Sequence, residues 1–311
     1  MCDRGWERAG SDRFEGMPEL PDITVYIEAL EARTVGRPVT GLQVVNPFVL
    51  RTVAPPIESV VGRHVGGLRR MGKRIVLELE GSLFLVIHLM IAGRLRWRDV
   101  GGKVVRPAPL ARFEFPDGVL MLTEAGKKRR ASLHLVEGER GLAQFDRGGL
   151  EVLDSSLAGF TARLRSENHT LKRALTDPRL FSGIGNAYSD EILHRARLSP
   201  LLLTSRMTDE QAATLHDAVK EVLAGWTERL RAESGGEFPE KVTAFREGMA
   251  VHGRYREPCP VCGAPVQRIR YADNETNYCA RCQTGGRLLA DRALSRLLRE
   301  DWPRSLDELQ A

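Results

Sequence analysis

Residues 180–200 read LFSGIGNAYSDEILHRARLSP. Two glycines one residue apart, Gly183 and Gly185, divide helical patterns here, and the chain stays helical on both sides. The spacing of apolar residues predicts helices over 160–166, 171–176, 189–196 and 209–232, the last with Leu215, Val219, Val222, Leu223 and Trp226 on one side. Glycines so placed let the backbone approach a ligand and aim amide hydrogens at it from the start of the next helix, which suits a phosphate. A simple tight connection would use the same residues.

Upstream the periodicity changes. Short runs rich in Val, Ile, Leu and Phe at 42–45, 75–79, 83–87, 111–115 and 119–122 are bounded by turn pairs such as Glu80-Gly81 and Asp117-Gly118, which predicts an antiparallel β-sandwich or barrel. A helical stripe of Ile23, Tyr26, Ile27, Leu30 and Val35 precedes it and stops at Gly36 and Pro38. That helix begins with Met17-Pro18-Glu19-Leu20-Pro21-Asp22. If translation or processing starts the chain at Met17, loss of that Met leaves Pro18 with a free secondary amine. A terminal amine titrates at roughly 7.7–8, so it is nucleophilic near neutral pH where an ordinary lysine is not. Glu19 beside it could move protons. Punctuation before a helix is the plainer reading of the two prolines. Arg69, Arg70, Lys73 and Arg74 bunch around Gly72, and Lys127–Arg130 follow Gly126. Each bunch fits either a solvated face or a phosphate-binding patch.

Downstream, residues 233–258 are weakly patterned and read as a flexible connection. Cys259-Pro-Val-Cys262 and Cys279-Ala-Arg-Cys282 follow, two Cys-x-x-Cys knuckles sixteen residues apart, the spacing of a structural four-thiolate zinc site. Between them Val266, Ile269 and Tyr271 suggest a β-hairpin with Arg268 and Arg270 on its other face. A short amphipathic helix through Leu294, Leu297 and Leu298 stops before Trp302-Pro303. The 311 residues, 42% hydrophobic and 28% charged, describe a globular chain with room for several domains. No apolar run is long enough to span a membrane. Residues 1–16 are charged and lack the apolar stretch of a secretory signal, so they read as a disordered leader or a misassigned start. The excess of 46 Lys and Arg over 41 Asp and Glu permits nucleic acid without pointing to it.

The order of these pieces resembles the formamidopyrimidine-DNA glycosylase and endonuclease VIII family of bacterial base-excision repair enzymes, from Met17 to about Gln283. Residues 17–21 match its N-terminal motif, 180–200 its helix-two-turn-helix, and 259–283 its zinc finger. The resemblance implies an α+β fold: a catalytic β-sandwich domain over 17–154, a helix-two-turn-helix domain over 155–250, a zinc finger over 251–285 holding one structural zinc, and a helical tail over 286–311. It implies a DNA glycosylase and abasic-site lyase, with Pro18 as nucleophile and Glu19 as proton shuttle. Lys73, Lys172, Gly185 and Asn186 would hold DNA, Glu191 would brace the double turn, and damaged duplex DNA would be the partner of a monomer in the bacterial cytoplasm. A non-catalytic binder of damaged DNA is the alternative. The sequence departs from the family pattern in the finger, where Asn274 replaces an arginine and Asn277 an aromatic, leaving Arg268 or Arg270 to reach phosphates. Residues 126–131 lack the family's aromatic wedge, and Ile91 takes the place of a methionine beside Met90. These departures point away from a strong preference for 8-oxoguanine.

Overall fold

The computed structural model describes residues 16–101, 108–125, 129–240, 242, 246–271, 274–290, 296–297 and 303–310. Helix α1 (Leu20–Thr34) starts where the Glu19 amide donates to Asp22 Oδ2 at 2.9 Å, with Pro21 in the first turn where its missing N–H costs nothing. It ends before Gly36, whose φ of +77° turns the chain away.

Two antiparallel four-stranded sheets follow. One has the order β1 (Gly41–Val44), β6 (Ala111–Phe115), β7 (Gly118–Glu124) and β5 (Gly93–Asp99). The other has β2 (Val65–Met71), β3 (Arg74–Leu79), β4 (Leu83–His88) and β8 (Ser132–Glu137). The expected sandwich is therefore present, with three strands that hydrophobic runs did not reveal. In β5, Arg94, Arg96 and Arg98 alternate with Leu95 and Trp97, a two-residue period masked by its charges. In β2, Gly66 and Gly67 sit at a bulge against β3. Ile75, Leu77, Leu85, Ile87, Leu133 and Leu135 face the other sheet, while Val76, Phe84, Val86 and Val136 are covered from outside by α2 (Gly138–Ala143) through Leu142. Both faces are buried there, so β3 and β4 read as near-continuous apolar runs.

The second core is helical: α3 (Leu157–Arg165), α4 (Leu171–Thr176), α5 (Asn186–Arg195) and α6 (Asp209–Ser234). Helix α1 joins the two cores. Ile23, Tyr26, Ile27 and Leu30 pack into the sandwich, whereas Leu20 and Val25 pack among the helices. Pro18 and Glu19 consequently lie at the junction.

A third core surrounds the hairpin of β9 (Val266–Tyr271) and β10 (Asn274–Cys279) and the short α7 (Ala280–Thr284). Leu288, Leu289 and Leu306, the last opening α8 (Leu306–Gln310), fold back onto it. The helix expected through residues 294–298 falls mostly outside the described residues. The connection before the finger is tied down where it is described, contrary to its loose sequence pattern. Met249, Val251 and His252 are buried, and Glu191 accepts the amides of Ala250, Val251 and His252 at 2.7, 2.9 and 2.9 Å. Glu191 thus braces the approach to the finger, using a carboxyl whose pKa burial raises while those amides oppose the rise.

Candidate active site and zinc knuckle

The glycine turn and the start of α1 form one structure. Leu20 N donates to Gly183 O at 2.9 Å, and Gly183 holds a φ of +81° that glycine tolerates freely. Ser182, just before it, takes a hydrogen bond at 3.2 Å from Arg70, which also donates to Gly72 O at 2.8 Å and pairs with Glu151. Arg70 therefore fastens the β2–β3 turn to the helical domain.

Glu19 points into the resulting crevice. Its side chain is buried, and its carboxylate accepts from the amides of Gly185 (2.6 Å), Ala187 (2.8 Å) and Tyr188 (3.3 Å) at the N-terminus of α5. Three oriented N–H groups and the positive end of a helix hold this carboxylate in one place. A ligand phosphate was one reading of the glycine turn, yet in the folded chain its amides serve a side chain of the same molecule. Gly185 is required by space: a Cβ there would stand 2.5 Å from Glu19 Cδ and would also strike Lys73 Nζ. Lys73 and Glu19 thus share the small volume in front of Gly185. Burial lowers the Lys73 pKa, Lys172 adds to the fall, and the carboxylates of Glu19 and Asp22 resist it. Asp22, itself raised by burial, is paired with Arg246 at 2.6 Å. Pro18 is buried next to Glu19, at the mouth of the chain.

The other residues singled out in the sequence separate into two groups. Asn186 is half-buried; its carbonyl accepts from Lys172 Nζ at 2.6 Å. Lys172 is mostly buried and ion-paired with Asp190 at 2.5 Å, so it faces inward in this structure. Arg268 and Arg270 stand on the solvent side of β9, each 3.5 Å from Glu275, with the Arg268 guanidinium stacked 4.1 Å over Tyr255. Asn277 is buried, which removes it from any external surface. Of the second basic bunch, Lys127 and Lys128 lie outside the described residues. Arg129 and Arg130 are exposed, and Glu124 fixes the loop's end by accepting the amides of Arg130 (2.8 Å) and Ala131 (3.2 Å). Ile91 is exposed beside Met90, which holds a φ of +55°.

Sequence reasoning missed His88. It lies opposite Arg74 on β3, and its pKa is depressed to about 4 by burial and by the charges of Arg74, Lys73 and His134. Its position one strand from Lys73 is legible only in the register. Asp190 was also missed, although its place four residues after Asn186 puts it one turn along the same helix.

The sulfurs of Cys259, Cys262, Cys279 and Cys282 all lie within 4.8 Å of one another. Tetrahedral zinc with bonds of about 2.3 Å sets its thiolates about 3.8 Å apart, so this donor set fits one structural ion with no open position. His194 Nε2, from α5, comes within 3.3 Å of Cys259 Sγ.

A buried carboxylate beside Pro18 at the start of α1, joined through the N-terminus of α5 to a four-cysteine knuckle, defines a class that the comparisons specify. The formamidopyrimidine-DNA glycosylase N-terminal domain matches residues 17–133, the H2TH domain of the same enzymes matches 149–233, and the zinc finger found in FPG and IleRS matches 256–285. The formamidopyrimidine-DNA glycosylase of Desulforamulus reducens is 31% identical over 279 residues, covering 86% of this chain and 99% of that protein. A formamidopyrimidine-DNA glycosylase-like protein of Mycobacterium tuberculosis is 39% identical over 151 residues, 49% of this chain and 94% of its own. The crystal structure of the Thermus thermophilus MutM (FPG) protein superposes with a TM-score of 0.69 at 30% identity, over 86% of this chain and 98% of that one. A Lactococcus lactis FPG variant bound to DNA containing Fapy-dG gives 0.74 at 25% identity, over 86% and 100%. The chain belongs to the formamidopyrimidine-DNA glycosylase family.

Proposed function

We infer that this chain is a DNA glycosylase with abasic-site lyase activity, acting on damaged duplex DNA through Pro18. The observation that carries the assignment is the Glu19 carboxylate, one residue from Pro18, clamped by three amides of the Gly185 turn and sharing its crevice with Lys73.

The steps follow from the atoms present. The Pro18 nitrogen, once free, attacks C1′ of the damaged nucleotide; the bond from C1′ to the base breaks, and the base leaves with a proton that Glu19 can relay. Opening of the sugar gives an iminium between Pro18 and C1′. Because proline is a secondary amine, this iminium has no N–H to lose and stays cationic. The positive nitrogen acidifies C2′, a proton leaves from there, and the bond from C3′ to the phosphate oxygen breaks, which cuts the strand. Repetition at C4′ expels the 5′ phosphate, and water releases the enzyme. Lys73 supplies a cation for a lesion phosphate, with Arg268 and Arg270 of the finger as further phosphate contacts. The base must leave the stack to reach Pro18, at a cost of a few kcal/mol that is smallest for damaged pairs.

This chemistry requires that the active form begin at Pro18. With residues 1–17 attached, the proline nitrogen is an amide without a usable lone pair. We propose a monomer that works on cellular DNA in the cytoplasm, organised as a β domain to about residue 154, a helical domain to about 250, then the finger and tail. A duplex with one abasic site tests the reading. Protein begun at Pro18 should nick it, and the form retaining residues 1–17 should not; equal nicking by both, or by neither, would overturn the assignment.

A further inference from the structure

We propose that Asp190 is a positioning residue through which the zinc finger sets the Gly185–Asn186 turn and hence Glu19, with Lys172 as the intermediate link. The proposal rests on the lyase reading above.

Asp190 has no exposed surface. A carboxylate so placed must be matched by donors, and it has them from three separate segments. Lys172 of α4 donates to Oδ1 at 2.5 Å. His252, at the approach to the finger, lies 2.8 Å from Oδ2, and Asn277 of finger strand β10 donates to the same oxygen from its backbone amide at 3.1 Å and from Nδ2 at 3.4 Å. Lys172 Nζ meanwhile donates at 2.6 Å to the carbonyl of Asn186, the residue between the amides of Gly185 and Ala187 that grip Glu19. The sequence of contacts therefore runs from finger to Asp190, to Lys172, to the turn, to the carboxyl beside Pro18. Lys172 is also one of the charges that depress Lys73, so Asp190 tempers the field that Lys172 casts on the second cation of the site.

Nothing in this arrangement calls for Lys172 to touch DNA. Its ammonium is occupied by two acceptors and is mostly buried. Removing Lys172 would leave buried Asp190 to His252 and Asn277 and take away the donor on the Asn186 carbonyl, while removing Asp190 would leave the Lys172 ammonium held by that carbonyl without its carboxylate, so the brace on the turn is weakened in both cases. The two residues act as a unit.

The test is a cycle of Asp190→Asn, Lys172→Met and the double variant, each with a free Pro18 terminus. Single-turnover nicking of an abasic duplex is measured beside affinity for a duplex carrying a tetrahydrofuran abasic analogue, with zinc content as a check. Nicking by the unaltered protein secures the underlying reading independently of the variants. Each single variant should slow nicking at least tenfold while affinity changes less than threefold and one zinc is retained, and the double variant should be no slower than the worse single one. Asn277→Ala, which removes a single neutral donor, should fold and bind zinc normally and slow nicking about threefold. Multiplying rate losses in the cycle, an affinity loss equal to the rate loss, or a normal rate for Asn277→Ala would each overturn the proposal.

Discussion

Replacing Gly185 with alanine perturbs the site by one methyl group. The backbone there has φ −134° and ψ −155°, extended geometry open to any residue, so the cost is steric alone. The new Cβ would stand 2.5 Å from Glu19 Cδ and 2.6 Å from Oε1, with Lys73 Nζ also in its way. Such a methyl typically costs about 1–3 kcal/mol in a packed site, and displacing the carboxyl from one amide donor leaves that N–H unpaired for about 1–3 kcal/mol more. Each 1.36 kcal/mol that falls on the transition state is tenfold in rate, so with about half of the summed 2–6 kcal/mol falling on the chemistry and the rest on the fold, nicking should slow by roughly one to two orders of magnitude. Gly225, exposed in the middle of α6 with nothing near its missing Cβ, supplies the contrast. Alanine there should stabilise the protein by about 0.5–1 kcal/mol without touching the rate. Single-turnover nicking and thermal unfolding of both variants decide the matter. If Gly185→Ala cleaves within twofold of the unaltered protein at unchanged stability, the described crowding of Glu19 and Lys73 is wrong.

Other perturbations test separate parts of the account. Because burial and Lys172 lower the Lys73 pKa, DNA affinity should begin to fall on the alkaline side below the ordinary lysine range, and Lys73→Gln should abolish that limb along with much of the affinity. His88 has a folded pKa of about 4 against about 6.5 in the unfolded chain, so the unfolded state binds its proton first; this residue's contribution to stability should be lost as pH falls from 6.5 toward 4 and should vanish in His88→Gln. Truncation after Gly285 would strip Leu288, Leu289 and Leu306 from the finger core and the Leu289 amide from the Tyr278 hydroxyl, which it reaches at 2.8 Å. Chelator challenge should then remove zinc several times faster than from the whole chain. Asp22→Ala would leave Arg246 buried without its 2.6 Å partner and should destabilise the fold by about 3–5 kcal/mol in denaturant melts.

The residues that were legible in the sequence announce themselves by chemistry that tolerates few alternatives. Paired cysteines at metal spacing have a short list of uses, whereas the Gly-x-Gly-Asn turn and the Pro-Glu start, each open to a plain structural reading alone, became legible through their order along the chain. The three hidden strands were concealed because β2 is interrupted by glycines and charges, and β5 and β8 carry arginine or histidine among their apolar residues. Lys172 shows a different limit. Its sequence position suggested a DNA contact, but whether a lysine faces solvent or a buried aspartate depends on Asp190, eighteen residues away and zero per cent exposed. Likewise the segment before the finger looked loose because its anchor, Glu191, lies on another element. The tail beyond Gly285 lies past the last residue matched to the zinc finger, and its packing on the finger core through Leu288, Leu289 and Leu306 is visible in the structure alone.

The central claim is that Pro18 nitrogen forms the covalent bond to the sugar. Borohydride reduction during turnover of an abasic duplex, followed by digestion and mass spectrometry of the adduct, measures this directly. The account predicts a reduced sugar fragment on the peptide that begins at Pro18. An adduct on Lys73, Lys172 or another lysine, or strand cleavage with no trapped protein, would contradict it.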